Sequence, residues 1–546
     1  MSEHKKHPTG LYYLFFAEMW ERFGYYLMIG IFTLYLKESV DKGGYGMDNK
    51  ESADIYGTFI AFVFLTPFIG GLLADRKLGY RLSITIGGLL MGSGYCLLAV
   101  HNSTVFYIAL FLIIIGNGFF KPNISTLLGN LYNDERYKGY KDSGYNIFYM
   151  GINIGALICN FIAAFMRNNY GWSFAFLSAG IGMFIGIIIF RVGMKHYKHA
   201  DVIKPVKPED TPLSKIIYQI LLPAIGAGIL GWMIPGNIIG SDSTDAFICA
   251  CFPIVWFYWK IYAKADVLEK KPIGAMYTIF IVVIVFWAVF KQNGTALTTW
   301  ADNYTDRKIP EQVLPVFQTL KLSQNDTAKN YHLPVLDEQF RKVKDAKGEV
   351  IKCNDYPAYF KNLDKSQYPP EGQPVRLIST ELFQSVNPGW VVALTPLVVA
   401  FFAFLRRRKR EPSTPSKITW GLFISSLSPL IMVMAVWYCH NGMEKASPLW
   451  LIATYGVITV GELFLSPMGL SMVSKLSPAR LTALMMGGWF LATSIGNKLS
   501  GILATFWDKY DNKALFFIVN SLLLGLATLA LLLMLKRLNR VFKEYV

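Results

Sequence analysis

Glu18, Glu21, Arg22, Tyr25 and Tyr26 bring five ionisable side chains into nine positions. Their spacing of i, i+3, i+4, i+7 and i+8 predicts one shared face of a helix. The apolar stretch around them runs from about Leu11 to Leu36, long enough to span a bilayer. Two carboxylates and a guanidinium in mid-span persist only when they pair with each other or line a watery cavity. A plain ion pair that packs helix on helix needs less charge than this stripe holds.

Similar groups recur at depth in later apolar stretches. Lys121, in Gly118-Phe119-Phe120-Lys121-Pro122-Asn123, lies about 15 residues from either water phase, beyond snorkelling reach. It needs an anionic partner, and Glu18 or Glu21 is the expected one. Pro122 removes one backbone hydrogen bond and favours a kink. Asn153, between Gly151 and Gly155, reads as interhelical glue or as a ligand contact. Lys291 follows Phe286-Trp287-Ala288-Val289-Phe290 and reads as a snorkelling lysine or a site group. Glu462, in Gly461-Glu462-Leu463-Phe464-Leu465-Ser466, has no cation at i±3 or i±4, so it needs a partner from another helix, a proton or a cationic ligand. Lys498 lies near enough to a span end to be structural. The seven His residues lie in loops or at span ends, which argues against a histidine proton relay.

The elements that position these groups are membrane helices. Of 546 residues, 53% are hydrophobic and 16% charged, well below the quarter charged that is usual in soluble domains. Fourteen spans are expected, at about 11–36, 53–74, 81–100, 104–131, 143–165, 172–191, 213–233, 244–262, 273–300, 389–405, 417–439, 448–474, 481–507 and 514–535. An even number puts both termini on one side. The positive-inside rule makes that side cytoplasmic, with about 30 Lys/Arg in the inner loops and tails against about 7 outside. Met1–Thr9 leads directly into a segment too long and aromatic for a cleavable signal. The net charge of +16 sits at helix ends, which argues against nucleic acid as a partner. Six cysteines form no disulfide framework or metal pattern.

The layout is six spans, two, then six. Residues 1–195 form the first bundle. The connection Lys195–Pro212 is basic, and residues 196–271 hold two spans without charge in their interiors. Residues 272–546 form the second bundle, with an insertion at about 302–387. That insertion is too long for an ordinary loop and is either a small external domain or partly disordered; its stretches Leu314–Leu320 and Leu333–Phe340 suit small elements. Gly70-Gly71-Leu72-Leu73-Ala74-Asp75-Arg76-Lys77-Leu78-Gly79-Tyr80-Arg81 resembles the cytoplasmic loop signature of the major facilitator superfamily. There Gly71 and Gly79 permit close approach, and Asp75 and the basic residues cap and pair at helix ends.

Glu-x-x-Glu-Arg-Phe-x-Tyr-Tyr at 18–26, Phe-Tyr-x-x-Ile-Asn-x-Gly at 148–155 and Gly-Glu-Leu-x-x-Ser-Pro-x-Gly-Leu at 461–470 together resemble the proton-coupled oligopeptide transporter family, bacterial type with a central helix pair. The resemblance covers nearly the whole chain apart from the insertion. It implies an all-α major facilitator fold of two six-helix bundles plus the pair. It also implies import of di- and tripeptides by proton symport through alternating access about a midplane site. Glu18, Glu21, Arg22 and Lys121 correspond to the proton-coupling cluster, with Arg22 and Lys121 also drawing the peptide carboxylate. Tyr26 would line the site. Asn153, Asn387 and Glu462 would hold the peptide amino terminus. Trp287 and Trp489 would wall the side-chain pockets, and Ser466 would join Glu462. No cofactor or metal is implied beyond the proton gradient, and a monomer in the bacterial inner membrane is expected.

The chain also departs from the family pattern. Ile29 and Lys291 stand where an arginine and an acid usually pair. Phe64 replaces a site tyrosine, and Gly57 stands where animal members have a histidine. Lys291 is expected to take over carboxylate binding. The mid-membrane acids Glu18, Glu21 and Glu462 then face Arg22, Lys121 and Lys291, three against three, so altered coupling is an alternative. Another small substrate, such as nitrate or another anion, is a second. A receptor or assembly subunit acting through the insertion is a third. A membrane enzyme is disfavoured for want of a nucleophile–base pair, metal-ligand cluster or phosphate loop.

Overall fold

The computed structural model describes residues 7–202, 212–238, 240–478 and 481–545. Positions 203–211 of the expected connection Lys195–Pro212, and 1–6 of the amino-terminal stretch, lie outside them. Among the described residues, fourteen long helices follow in order. The first bundle holds α1 Gly10–Lys37, α2 Asn49–Leu73, α3 Tyr80–Leu98, α4 Ser103–Leu131, α5 Lys141–Tyr170 and α6 Trp172–Gly193. The pair is α7 Ser214–Trp232 and α8 Asp242–Lys264. The second bundle holds α9 Val267–Phe290, α10 Val386–Arg407, α11 Thr414–Tyr438, α12 Pro448–Leu476, α13 Thr482–Thr505 and α14 Lys513–Tyr545. Among the described residues, twelve of these helices are long and apolar enough to cross a membrane. The remaining two, α1 and α13, are 28 and 24 residues long but carry charged and amide side chains in their spans.

In the first bundle α1 packs on α5 and α6, α2 on α4, and α3 on α4 and α6. In the second, α9 packs on α13 and α14, and α11 on α12 and α14. The bundles meet where α2 runs against α13 and α5 against α10. At the α2–α3 connection Gly79 turns the chain at φ +75°, a conformation that suits a residue without Cβ. At the start of α3 the capping residue is Asp201. Its carboxylate accepts from Tyr80 N–H at 2.7 Å and pairs with Arg81 at 2.6 Å. The residue before α3 is Gly79, which has no side chain to cap with, so the carboxylate comes from a distant segment. Asp75 accepts from the Tyr80 hydroxyl at 2.5 Å.

The helix pair bridges the bundles through α8, which touches α2, α9 and α13. The Tyr258 hydroxyl donates to the Leu484 carbonyl at 2.7 Å, and the Tyr277 hydroxyl to the Tyr258 carbonyl at 2.8 Å. At the end remote from the termini, Lys498 of α13 is 1% exposed. Its ammonium donates to Asp54 Oδ1 at 2.7 Å, Thr58 Oγ1 at 2.6 Å and Ser243 Oγ at 3.0 Å. Ser243 donates to the other oxygen of Asp54 at 2.6 Å. This one clasp joins the first bundle, the second bundle and the helix pair. Further ties between the bundles lie at the same end: Lys37 to Thr299 at 3.0 Å, Asn160 to Ser385 at 3.0 Å, and Arg167 with Glu381 at 3.1 Å.

The insertion is folded. A helix at Leu314–Thr319 precedes β1 Ser323–Thr327 and β2 Tyr331–Pro334; β3 Lys352–Asp355 and β4 Pro374–Ile378 follow. Two antiparallel ladders form, β1 with β4 and β2 with β3, over a small core of Ala328, Tyr359, Phe360 and Leu377. The insertion contacts both bundles. Arg341 pairs with Asp511 at 3.0 Å, and the Lys342 ammonium donates to the Gly46 carbonyl at 2.7 Å.

Two predictions follow from these buried charges. Asp54→Asn or Lys498→Met leaves a buried group without its counter-charge, which costs on the order of 3 kcal/mol. Each should lower the melting temperature of the solubilised protein, and the double variant should recover part of the loss. The second concerns Lys445, in the loop between α11 and α12. Burial pushes its ammonium down from 10.5 to about 7. Between those values the unfolded chain binds more protons than the folded one, so stability rises with pH across that window. The rise in melting temperature from pH 7 to 9 should be smaller in Lys445→Met.

Candidate functional site

The candidate site forms where α1 and α4 face α9, α10 and α12. Glu18, Glu21 and Arg22 are 2%, 0% and 3% exposed. Arg22 Nη2 donates to Glu21 Oε1 at 2.6 Å, Nε donates to Glu21 Oε2, and Nε lies 3.3 Å from Glu18 Oε1. The guanidinium fork therefore holds both carboxylates from its own helix, with the Tyr25 ring 5.2 Å away. Glu18 Oε2 is buried with no hydrogen-bond partner.

The expected bridge from Lys121 to Glu18 or Glu21 is not formed. Arg22 is one residue from Glu21 and one helical turn from Glu18, and its planar fork fits carboxylates where a point ammonium does not. Lys121 Nζ instead lies over the Phe64 ring, 4.0 Å from its centroid. Lys291 reaches the same ring from the second bundle at 5.6 Å. The expected unbroken span 273–300 is interrupted at this point. Helix α9 stops at Phe290, Lys291–Gly294 makes a 3₁₀ turn, and a short helix resumes at Ala296–Asn303. The break places Lys291 where the helix loses its regular ladder, as functional hinges often do. Snorkelling is not what the lysine does: its ammonium sits among Phe64, Trp287 and Phe290.

Glu462 on α12 faces the start of α10. Asn387 Nδ2 donates to Thr459 Oγ1 at 2.8 Å and to Glu462 Oε2 at 3.4 Å. The charge of Lys291 acts on Glu462 and Arg22, and that of Lys121 on Arg22, Glu21, Lys291 and Glu18. The six groups thus form one electrostatic cluster across the bundle boundary. Tyr26 is half-buried and meets Tyr25 edge-on at 5.3 Å. Trp287 lies 6.5 Å from Phe64, with its Nε1 buried and unpartnered, as is Ser466 Oγ.

Two further expected site residues make contacts within their own bundles. Asn153 donates to the Tyr149 carbonyl of its own helix at 3.0 Å, so it does not act as interhelical glue. Trp489 is 4% exposed and packs inside the second bundle, against Phe280 and Gly469. Sequence reasoning missed the clasp of Asp54 with Lys498. The signal was present, because both are charged residues in or at apolar stretches, but their pairing links positions more than 400 residues apart.

The sequence profile of the POT family matches residues 81–322 and 376–520. The chain belongs to the POT family. It is 30% identical to the uncharacterized transporter YclF of Bacillus subtilis (strain 168), covering 96% of this chain and 94% of that protein. It is 28% identical to the di-/tripeptide transporter of Lactococcus lactis subsp. lactis (strain IL1403), over 97% and 95%. A crystal structure of the peptide transporter POT in complex with sulfate superposes with a TM-score of 0.74 at 27% identity, over 98% and 96% of the two chains. The fold is the major facilitator fold of this family, and the protein is a multi-pass membrane transporter, not an enzyme.

The POT signature at 148–155 also has a packing role. A Cβ on Gly155 would lie 2.4 Å from the Met19 carbonyl of α1. Gly155→Val should therefore push α5 off the helix that carries the triad, cost about 1–3 kcal/mol, and show as a lower melting temperature with normal membrane insertion.

Proposed function

We propose that this POT-family member imports di- and tripeptides by proton symport, the two bundles rocking about the site so that it opens to one side at a time. One observation carries the reading. Lys121 of the first bundle and Lys291 of the second meet at Phe64, with Glu462, held by Asn387, in electrostatic reach of Lys291 and a carboxylate pair with one free oxygen on α1. A zwitterionic peptide fits that arrangement. Its carboxylate meets the two ammoniums, and its amino group meets Glu462 and the Asn387 amide oxygen. Tyr26, Trp287 and Ser466 line the space between. Glu18, whose Oε2 is unpartnered, is the acceptor for the transported proton, and Arg22 keeps the adjacent charge balanced. Peptide binding and protonation then alter one electrostatic cluster, which couples them.

The cargo reading agrees with the peptide transporters among the relatives. The proton gradient supplies the energy and no cofactor is needed. The chain acts as a monomer in the bacterial cytoplasmic membrane, with both termini cytoplasmic, because the basic loops lie on the terminal side.

A second reading, transport of nitrate or another small anion, is favoured by the two ammoniums that lack carboxylate partners. In liposomes an inward proton gradient should stimulate uptake of labelled dialanine. Uptake of an anion that dialanine fails to displace would overturn the peptide reading in favour of the second. Lys291→Glu should abolish dialanine uptake, and unchanged affinity and rate would remove Lys291 from carboxylate binding.

A further inference from the structure

We propose that the preferred cargo carries a second carboxylate: peptides with an aspartyl or glutamyl residue, over neutral and basic ones. The inference rests on the peptide reading above and concerns how the charges of the site are matched.

The lysines in and around the spans are generally satisfied by oxygen. Lys498 donates to three oxygens. Lys417 pairs with Glu411 at 2.6 Å, and Lys37 donates to Thr299 at 3.0 Å. Lys121 and Lys291 differ. Among the described residues neither has a carboxylate within 4.0 Å or a hydrogen-bond acceptor. Each faces an aromatic ring, and they share Phe64. A ring face attracts a cation but accepts none of its three N–H donors in ordinary hydrogen-bond geometry. A partly buried ammonium left this way is costly to keep unless a ligand completes it.

The third cation, Arg22, is consumed by Glu18 and Glu21. On the other side only Glu462 is free of an ion pair, held by Asn387 at 3.4 Å. With Glu18 carrying the transported proton, the site therefore offers a ligand two unmet cations and one unmet acid. A neutral dipeptide brings one carboxylate for the two ammoniums to share, which leaves one positive charge unmatched. A peptide with an acidic side chain brings two carboxylates and one amino group, which matches the count. A basic side chain brings another cation towards two ammoniums, which repel it. Because both lysines reach one ring, the two carboxylates of a single short peptide can meet them together.

The test is competition against labelled dialanine in proteoliposomes, using Ala-Ala, Ala-Glu, Glu-Ala, Ala-Lys and Lys-Ala. The acidic peptides should compete about tenfold or more better than the basic ones, and better than dialanine. In Lys291→Gln the acid-to-base ratio, read as binding affinity so that lost turnover does not hide it, should fall towards one. Lys291→Arg should restore it. Dialanine uptake with no acidic preference in the wild type, or an unchanged ratio in Lys291→Gln, would overturn this inference while leaving peptide transport standing. Failure of every peptide to bind would overturn both.

Discussion

Arg22 holds two carboxylates on its own helix in a place that water does not reach, and the rest of the site depends on that. Ions at depth are expensive, and the expense falls when the counter-charge is built into the same turn. The triad is 0–3% exposed, so it is stable as a unit and carries one net negative charge. Because the guanidinium takes both carboxylates, Lys121 has no acid to bind. Its ammonium is left at the boundary between the bundles, over Phe64. The ion pair within α1 thus creates the unmet cation beside it.

The same logic runs in reverse at the end remote from the termini. There Lys498 and Arg167 find oxygen partners. Lys498 has three oxygen acceptors drawn from two helices, one of each other structural block. Arg167 meets Glu381 across the bundle boundary, and the insertion pairs with loops of both bundles. Charges that lock together tie the bundles at this end, while charges that await a ligand lie deeper. A transporter that must open needs ties that exchange partners, and polar ties between bundles do this more readily than interdigitated apolar side chains. The helix pair has a place in this arrangement, since α8 supplies Ser243 to the clasp and Tyr258 to α13.

The Ile29 and Lys291 positions show how a local change alters the whole cluster. Lys291 lies in the 3₁₀ turn that ends α9, next to Trp287, whose indole nitrogen is unpartnered. A cation here faces Lys121 across Phe64 and Glu462 within its own bundle. The turn fixes the direction of the side chain, which is partly buried among the aromatic rings.

The sequence alone determined the fourteen helices, the major facilitator layout, the face shared by Glu18, Glu21 and Arg22, and the identity of most groups in the cluster. These follow from properties local to one helix: apolar length, spacing, and the cost of a charge at depth. Tertiary structure decided the pairing. Whether Lys121 meets a glutamate depends on how α4 is rotated against α1 and on competition from Arg22. The break at Lys291 depends on the packing of α9, and the placement of Trp489 on the fit against Gly469. The clasp of Asp54 with Lys498 joins distant positions, and the cap on α3 comes from Asp201 because Gly79 has no side chain to offer. The sequence sets which charges must be matched, and the relative rotation and depth of the helices sets which partner each one finds.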